Sequence, residues 1–410
     1  LHEANGWYQA AIELANDALG VLAASGKTSE LATEELNLRT SLARALLVVY
    51  GYGDEVESAF REVLTLAESS PDARQQYPVL RALANYYINL ANFDKGLDLG
   101  HRLLELADQE NDASIGIEAH YIIGATTSFM GDLEGGMAHL DMVIDTYDPG
   151  AGSSSRYRLG LNTGVAARTA SGLLLWQAGY LDTGATRVVD ALAFANAIEH
   201  PYSRAYAHYH NGFLAVLQVR PETAIEHAVA LARLSADNDY VLWGALALVL
   251  EGVADTSLGR VSEGLAKAES GIADYSSLPT PPVFWPLVLG LRATVQLRAG
   301  HPERALELID EAIGYGGPPA FAVHRGDILA SLPEPPIEEA IESYLVEARQ
   351  ADESGLRTLG LRAHTGAVAL RRLHGITPDG SELLRAAYEW FTEGEDEVIV
   401  REARRVLEIE

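Results

Sequence analysis

The fold is decided by Gly172-Leu173-Leu174-Leu175-Trp176-Gln177-Ala178-Gly179-Tyr180-Leu181-Asp182-Thr183-Gly184. A helical apolar run stops at the Gly179-Tyr180 turn and another begins directly after it. A small residue stands seven positions before the turn, and a second stands five positions after it. The same spacing recurs along the chain. Ala84, Gly124, Gly172, Gly212, Gly252 and Ala293 precede successive turns, and Gly96, Gly136, Gly184, Ala224, Gly264 and Ala305 follow them. Glycine inside a helix costs about 1 kcal/mol relative to alanine. Its return at matching positions needs a compensating gain, and close crossing of two helix backbones supplies one. The 37 glycines, odd for an all-helical chain, thereby become part of the argument for one.

From Ala91-Asn92-Phe93-Asp94 through Gly131-Asp132, Gly179-Tyr180, Arg220-Pro221 and Gly259-Arg260 to Gly300-His301-Pro302, the turns recur about every 40 residues. One step is longer, and it contains Asp148-Pro149-Gly150-Ala151-Gly152-Ser153-Ser154-Ser155, a turn-rich insertion at about 148–157. The register matches the small-residue positions of a tetratricopeptide (TPR) helix pair. The sequence therefore predicts an all-α, TPR-like α-solenoid, with antiparallel helix pairs stacked into a right-handed superhelix. Regular repeats are expected over 1–315. Residues 316–410 should carry less regular repeats of the same superhelix, with a short helix between two proline breaks and a capping helix near 396–408.

Composition excludes much else. The chain has 410 residues, 58 acidic against 30 basic side chains, a formal charge of −28 and no cysteine. Disulfides, cysteine-based zinc sites and thiol catalysis are ruled out. The charge opposes nucleic-acid binding, which needs a cationic surface, and equally a polybasic membrane patch. No apolar run reaches the roughly 18 residues of a membrane span. A cytoplasmic protein is expected, monomeric or weakly dimeric, and a chain beginning at Leu1 reads as a piece of something longer.

Catalytic motifs are missing. Gly20 stands one residue too far from Gly26-Lys27-Thr28 for a phosphate loop, and the context is helix to helix rather than strand to helix. His208 and His210, two apart on a helix, point to different faces and make no metal pair. His200-Pro201 reads as a turn entering a helix, and acidic pairs such as Glu338-Glu339 and Glu393-Glu395 as solvated faces. No catalytic residue, metal or cofactor is implied. The candidates are binding residues. In the TPR register one face of each first helix lines a groove, which places Arg81, Asn85, Asn89, Tyr121, Trp176, Gln177, Tyr206 and Tyr209 towards it. Tyrosine and tryptophan give rigid contact area with a polar tip, although packing between repeats would use them equally well. Arg81, Arg168 and Arg204 could select an anionic ligand.

Several stretches carry a further resemblance. They are Asn37–Leu46 with Gly51–Glu57, Gly164-Val165-Ala166 through Leu175–Asp182, Ala191–Ala195 with His200–Ala207, and Tyr388-Glu389-Trp390-Phe391-Thr392-Glu393-Gly394. Together they resemble the TPR C-terminal region of large bacterial proteins with a class III adenylate/guanylate cyclase domain and a STAND-type ATPase module. The resemblance implies a non-catalytic sensor or scaffold. It would bind a protein partner or a small-molecule inducer and regulate attached catalytic domains. A stand-alone protein–protein adaptor is the alternative, and a hydrolase with an unrecognised site a remote one.

Overall fold

A computed structural model describes residues 8–25, 29–50, 52–69, 73–148, 161–278, 282–315 and 324–408. The expected insertion at about 148–157, the Gly26-Lys27-Thr28 stretch and Gly316-Gly317-Pro318-Pro319 lie largely or wholly outside these residues. Among the described residues there are twenty α-helices, two short 3-10 turns and no strand. The chain is the all-α, TPR-like solenoid that its small-residue register requires. No helix is long and apolar enough to cross a membrane.

Two compact units are formed. The first comprises Leu1–Met130, Ala138–Thr163 and Ser276–Phe284, and the second Gly131–Met137, Gly164–Tyr275 and Trp285–Glu410. The first holds α1 (Tyr8–Ser25), α2 (Ser29–Tyr50), α3 (Asp54–Glu68), α4 (Tyr77–Asn89), α5 (Phe93–Glu110) and α6 (Ala113–Phe129), while α7 (Leu133–Thr146) contributes to both. Its core runs from Phe60 and Val63 through Leu80, Tyr86 and Leu103 to Ile122.

The second unit continues with α8 (Thr163–Gln177), α9 (Leu181–Ala197), α10 (Pro201–Leu217), α11 (Pro221–Asn238), α12 (Val241–Ser257), α13 (Val261–Ser276), α14 (Trp285–Arg298) and α15 (Pro302–Gly314). It ends with the six-residue α16 (Arg325–Ala330), α17 (Ile337–Glu353), α18 (Arg357–Leu373), α19 (Ser381–Glu389) and α20 (Val398–Leu407). The short α16 between prolines matches the sequence expectation.

The close crossings are present where the glycines mark them. A Cβ on Gly172 would lie 2.9 Å from the Gly184 carbonyl oxygen, and one on Gly252 would lie 2.5 Å from that of Gly264. Each turn that follows is closed in the same way. The backbone is left-handed at Ala91, Gly131, Gly179, Val219, Gly259 and Gly300. At Gly179, for example, its N–H donates to the Trp176 carbonyl and that of Tyr180 donates to Leu175, so the last carbonyls of α8 are satisfied.

One feature departs from the expected terminal cap. The last helices fold back across the turns of α8–α9 and α10–α11. Trp176, Leu181, Val188 and Leu214 share one core with Leu361, Val368, Leu384, Val400, Ala403 and Leu407. Polar bonds fix the contact: the Gly394 N–H donates to Asp182 (2.9 Å), the Thr183 hydroxyl to Glu393 (2.9 Å) and the Thr358 hydroxyl to the Trp176 carbonyl (2.5 Å). Trp390 lies edge-on to Tyr180, with Arg357 over its ring. The second unit is thus latched on itself, across about 180 to 210 residues of chain.

Candidate functional site

In the first unit α4 and α6 face one another through polar side chains. Arg81 on α4 is ion-paired with Glu118 on α6 at 2.6 Å, and Glu118 also accepts from the Thr163 hydroxyl at 2.7 Å. Burial works to lower the Arg81 pKa, but the adjoining carboxylate outweighs it and the net shift is upward. Burial pushes the Tyr121 phenol up to about 12, against the pull of Arg81. Arg81 is therefore committed to a partner from its own chain. One and two turns further along α4 lie Asn85 and Asn89, both half-buried, with the Asn89 amide donating to the Asn85 carbonyl at 2.9 Å. The side-chain amide of Asn85 and the acceptor oxygen of Asn89 are open to further bonds.

The equivalent face in the second unit is filled differently. Tyr209, Phe213 and Trp243 are buried together, and Tyr206 packs against Trp243 and His210. Burial raises the Tyr209 phenol and pushes the His210 imidazole down to about 4. Trp176 belongs to the latch core, with its indole N–H unbonded. Gln177 next to it is half-buried. Arg168 donates to the Gly164 carbonyl and lies over the Phe194 ring at 4.2 Å. Arg204 has a buried Nε without a hydrogen-bond partner. Its charge reaches His208, whose pKa falls to about 4 through burial, the neighbouring His227 and Arg204.

The structure thus brings Arg81, Asn85, Asn89 and Tyr121 together, while Trp176, Tyr206 and Tyr209 go to packing. His208 and His210 do diverge: His208 meets His227 on α11 at 3.1 Å, and His210 meets the Tyr206 carbonyl. Among the described residues no group of three or more histidine or acidic side chains could hold a metal ion. Sequence reasoning missed Glu118. It stands thirteen residues before the Gly131 turn, as Tyr206 stands before the turn at Val219, so carrying the register one helix further would have found it. It also missed the latch carboxylates. Glu397 is buried and accepts from Gln218 and Arg220, each at 2.7 Å, and Glu393, expected on a solvated face, takes the Thr183 hydroxyl.

No protein-family model matches the chain, and no curated protein matches it in sequence. Solved structures do. A Rap protein complexed with competence and sporulation factor matches with a TM-score of 0.55 at 15% identity, over 93% of this chain and 98% of that one. The Rap conjugation gene regulator of plasmid pLS20, in complex with a Phr peptide, matches at 0.50 and 13%, over 91% and 96%. A signal transduction ATPase with a tetratricopeptide repeat sensor from Pyrococcus horikoshii gives 0.41 at 13%, over 97% of this chain and 55% of that one. At these identities the likeness is one of fold.

Proposed function

We propose that the chain is a non-catalytic, regulatory binding array that takes an extended peptide segment on the inner face of its first unit. The observation that carries this reading is the pair of half-buried amides, Asn85 and Asn89, one turn apart beside a fixed Arg81–Glu118 pair. Packing of Ala84 and Leu83 against the neighbouring helices does not require an amide at either place. Amides that both donate and accept suit a peptide backbone, whose groups repeat irrespective of sequence. The likeness to Rap proteins, one of them in complex with a Phr peptide, supports the same reading. In this proposal the array is a sensor arm, and its occupancy regulates an attached ATPase or nucleotide-cyclase module. The pre-paired Arg81 and Glu118 contribute rigidity rather than charge, so the order lost on binding falls on the peptide.

The test is affinity selection from a random pentapeptide library, with wild type and an Asn85→Ala, Asn89→Ala variant compared at equal loading. Enrichment of a defined sequence class by wild type, reduced roughly tenfold in the variant, is expected. Equal enrichment by both proteins, or none by wild type, refutes the site.

A further inference from the structure

We propose that Arg204, His208 and His227 form an oxyanion site in the second unit, which takes a phosphate or sulfate group together with one proton. Arg204 and His208 stand one turn apart on α10 and so share a face of it. His208 and His227 meet through their Nδ1 atoms at 3.1 Å, with ring centroids 5.4 Å apart. Arg204 is half-buried with its Nε enclosed and unbonded, and among the described residues it makes no hydrogen bond or ion pair. A chain with 58 acidic side chains supplies none to this guanidinium. Packing accounts for none of the three residues. Arg204 stands fifteen residues before the left-handed Val219, and glycine holds that place before the adjoining turns, Gly164 before Gly179 and Gly244 before Gly259. His208 and His227 stand eleven before and eight after Val219. In other repeats buried leucines fill those positions, Leu80 with Leu99 and Leu289 with Leu308.

Of two neutral imidazoles joined through Nδ1, one donates and the other accepts, so their Nε2 atoms are one acceptor and one donor. One added proton keeps the inner bond and makes both Nε2 atoms donors. With the Arg204 fork they then offer several N–H groups, which suit the oxygens of a tetrahedral anion. Burial, His227 and Arg204 hold the His208 pKa down to about 4, and burial lowers that of His227 against Glu226. Arg204 on α10 and Glu226 on α11 are the charged groups acting on the pair. The other helices packed on α10, α9 and α12, add none among the described residues. A bound anion favours the imidazolium, so it arrives with a proton, and its affinity falls by up to about tenfold per pH unit as pH rises.

The intact chain is labelled with 15N-histidine, and its imidazole signals are titrated at about pH 6 and constant ionic strength with sulfate, methyl phosphate and acetate. The signals are assigned through His208→Gln and His227→Gln. His120 and His139 are the internal control: they hold the same two places around Gly131 and meet at 2.7 Å, but Gly116 stands where Arg204 does. The expected result is a saturable shift of His208 and His227 towards imidazolium with the two tetrahedral anions, at least about tenfold weaker with acetate. His120 and His139 should show none. Calorimetry in buffers of different ionisation enthalpy should find about one proton taken up per sulfate. A lower midpoint for methyl phosphate identifies a phosphate group as the ligand, and a lower one for sulfate a sulfate group. Arg204→Met should abolish the response and, without anion, raise the pH at which His208 titrates, while Arg204→Lys keeps a weakened response. Unsaturable shifts, an equal response to acetate or of His120 and His139, no proton uptake, or an unchanged response in Arg204→Met overturns the proposal. Peptide capture by Asn85 and Asn89 enters none of these readouts, so the two sites stand or fall separately.

Discussion

Replacing Gly252 by alanine tests the reason for the repeat. A Cβ there would lie 2.5 Å from the Gly264 carbonyl oxygen, 2.7 Å from the Ala268 nitrogen and 2.8 Å from the Ala268 Cβ. Two of these obstacles are backbone, so no rotamer change relieves them. Ordinary contact begins near 3.4 Å, so α12 and α13 must part by roughly 0.9 Å along a crossing that is otherwise close-packed. Overpacking of this kind costs about 1–3 kcal/mol, and more where backbone must move. Alanine returns about 1 kcal/mol of helix propensity. The net expectation is a loss of about 2 kcal/mol, read from the urea midpoint of the helical circular dichroism signal at unchanged slope. Gly20→Ala is the matched control. Gly20 is interior to α1 with nothing within 4 Å of its added Cβ, so propensity acts alone and stability should rise by about 0.5–1 kcal/mol. Adding Gly264→Ala to Gly252→Ala should cost less than it does alone, since the helices have already separated. If Gly252→Ala is as stable as wild type, the crossing is not tight and the close-approach account of the glycines fails.

Other perturbations address the turns, the buried histidine and the latch. Val219 is β-branched, half exposed and left-handed at φ 57°. Val219→Gly should therefore gain about 1 kcal/mol in the same urea assay, and a loss would show that its side chain contributes more than its strain costs. His210 has its folded pKa pushed by burial to about 4, below the unfolded value of about 6.5. Its neutral-state stability is complete above pH 6.5 and is lost as pH falls towards 4. About 2 kcal/mol should go between pH 6.5 and 5, and His210→Gln should flatten that part of the pH profile. Trp390→Ala removes the ring against Gly179 and Tyr180. Hydrogen exchange should then quicken at residues 177–183 and in α18–α20, with a loss of roughly 2 kcal/mol, while α12 and α14 stay protected; uniform quickening would mean that the latch is not a separate contact.

The repeat was legible because its determinants are local. Gly172 and Gly184 are twelve residues apart and meet across one turn, and the turn residue is held by bonds to the helix just ended. His200 likewise does what its position before Pro201 suggests. It caps α10, its imidazole accepting from the Ser203 N–H at 3.2 Å. The latch was not legible, because nothing in a periodic pattern records a contact between residues some 200 positions apart. Trp176 shows the consequence. Its register points it towards a groove, but it is buried among residues of α18 and α20, so an expected binding residue is core. The stretches Leu175–Asp182 and Tyr388–Gly394 both stood out in the sequence. They pack against one another, through Gly179 on Trp390 and Leu181 on Gly394.

That contact changes the mechanics of the second unit. In an array where each repeat touches only its neighbours, stability is a sum of repeat and interface terms, and the ends open first. Here α20 ends the series and is bonded to its middle as well as to its neighbours. Its core residues Val400, Ala403 and Leu407 share a cluster with Leu181 and Leu214, and its N-terminal Glu397 is gripped by Gln218 and Arg220. Burial raises the Glu397 pKa, against the pull of Arg220 and Gln218, which favour the charged carboxylate that they grip. Fraying of α20 must therefore break contacts on two repeats at once. The free energy of local opening at the C-terminus is raised towards that of the unit's middle, and the second unit should lose structure as one cooperative body rather than helix by helix.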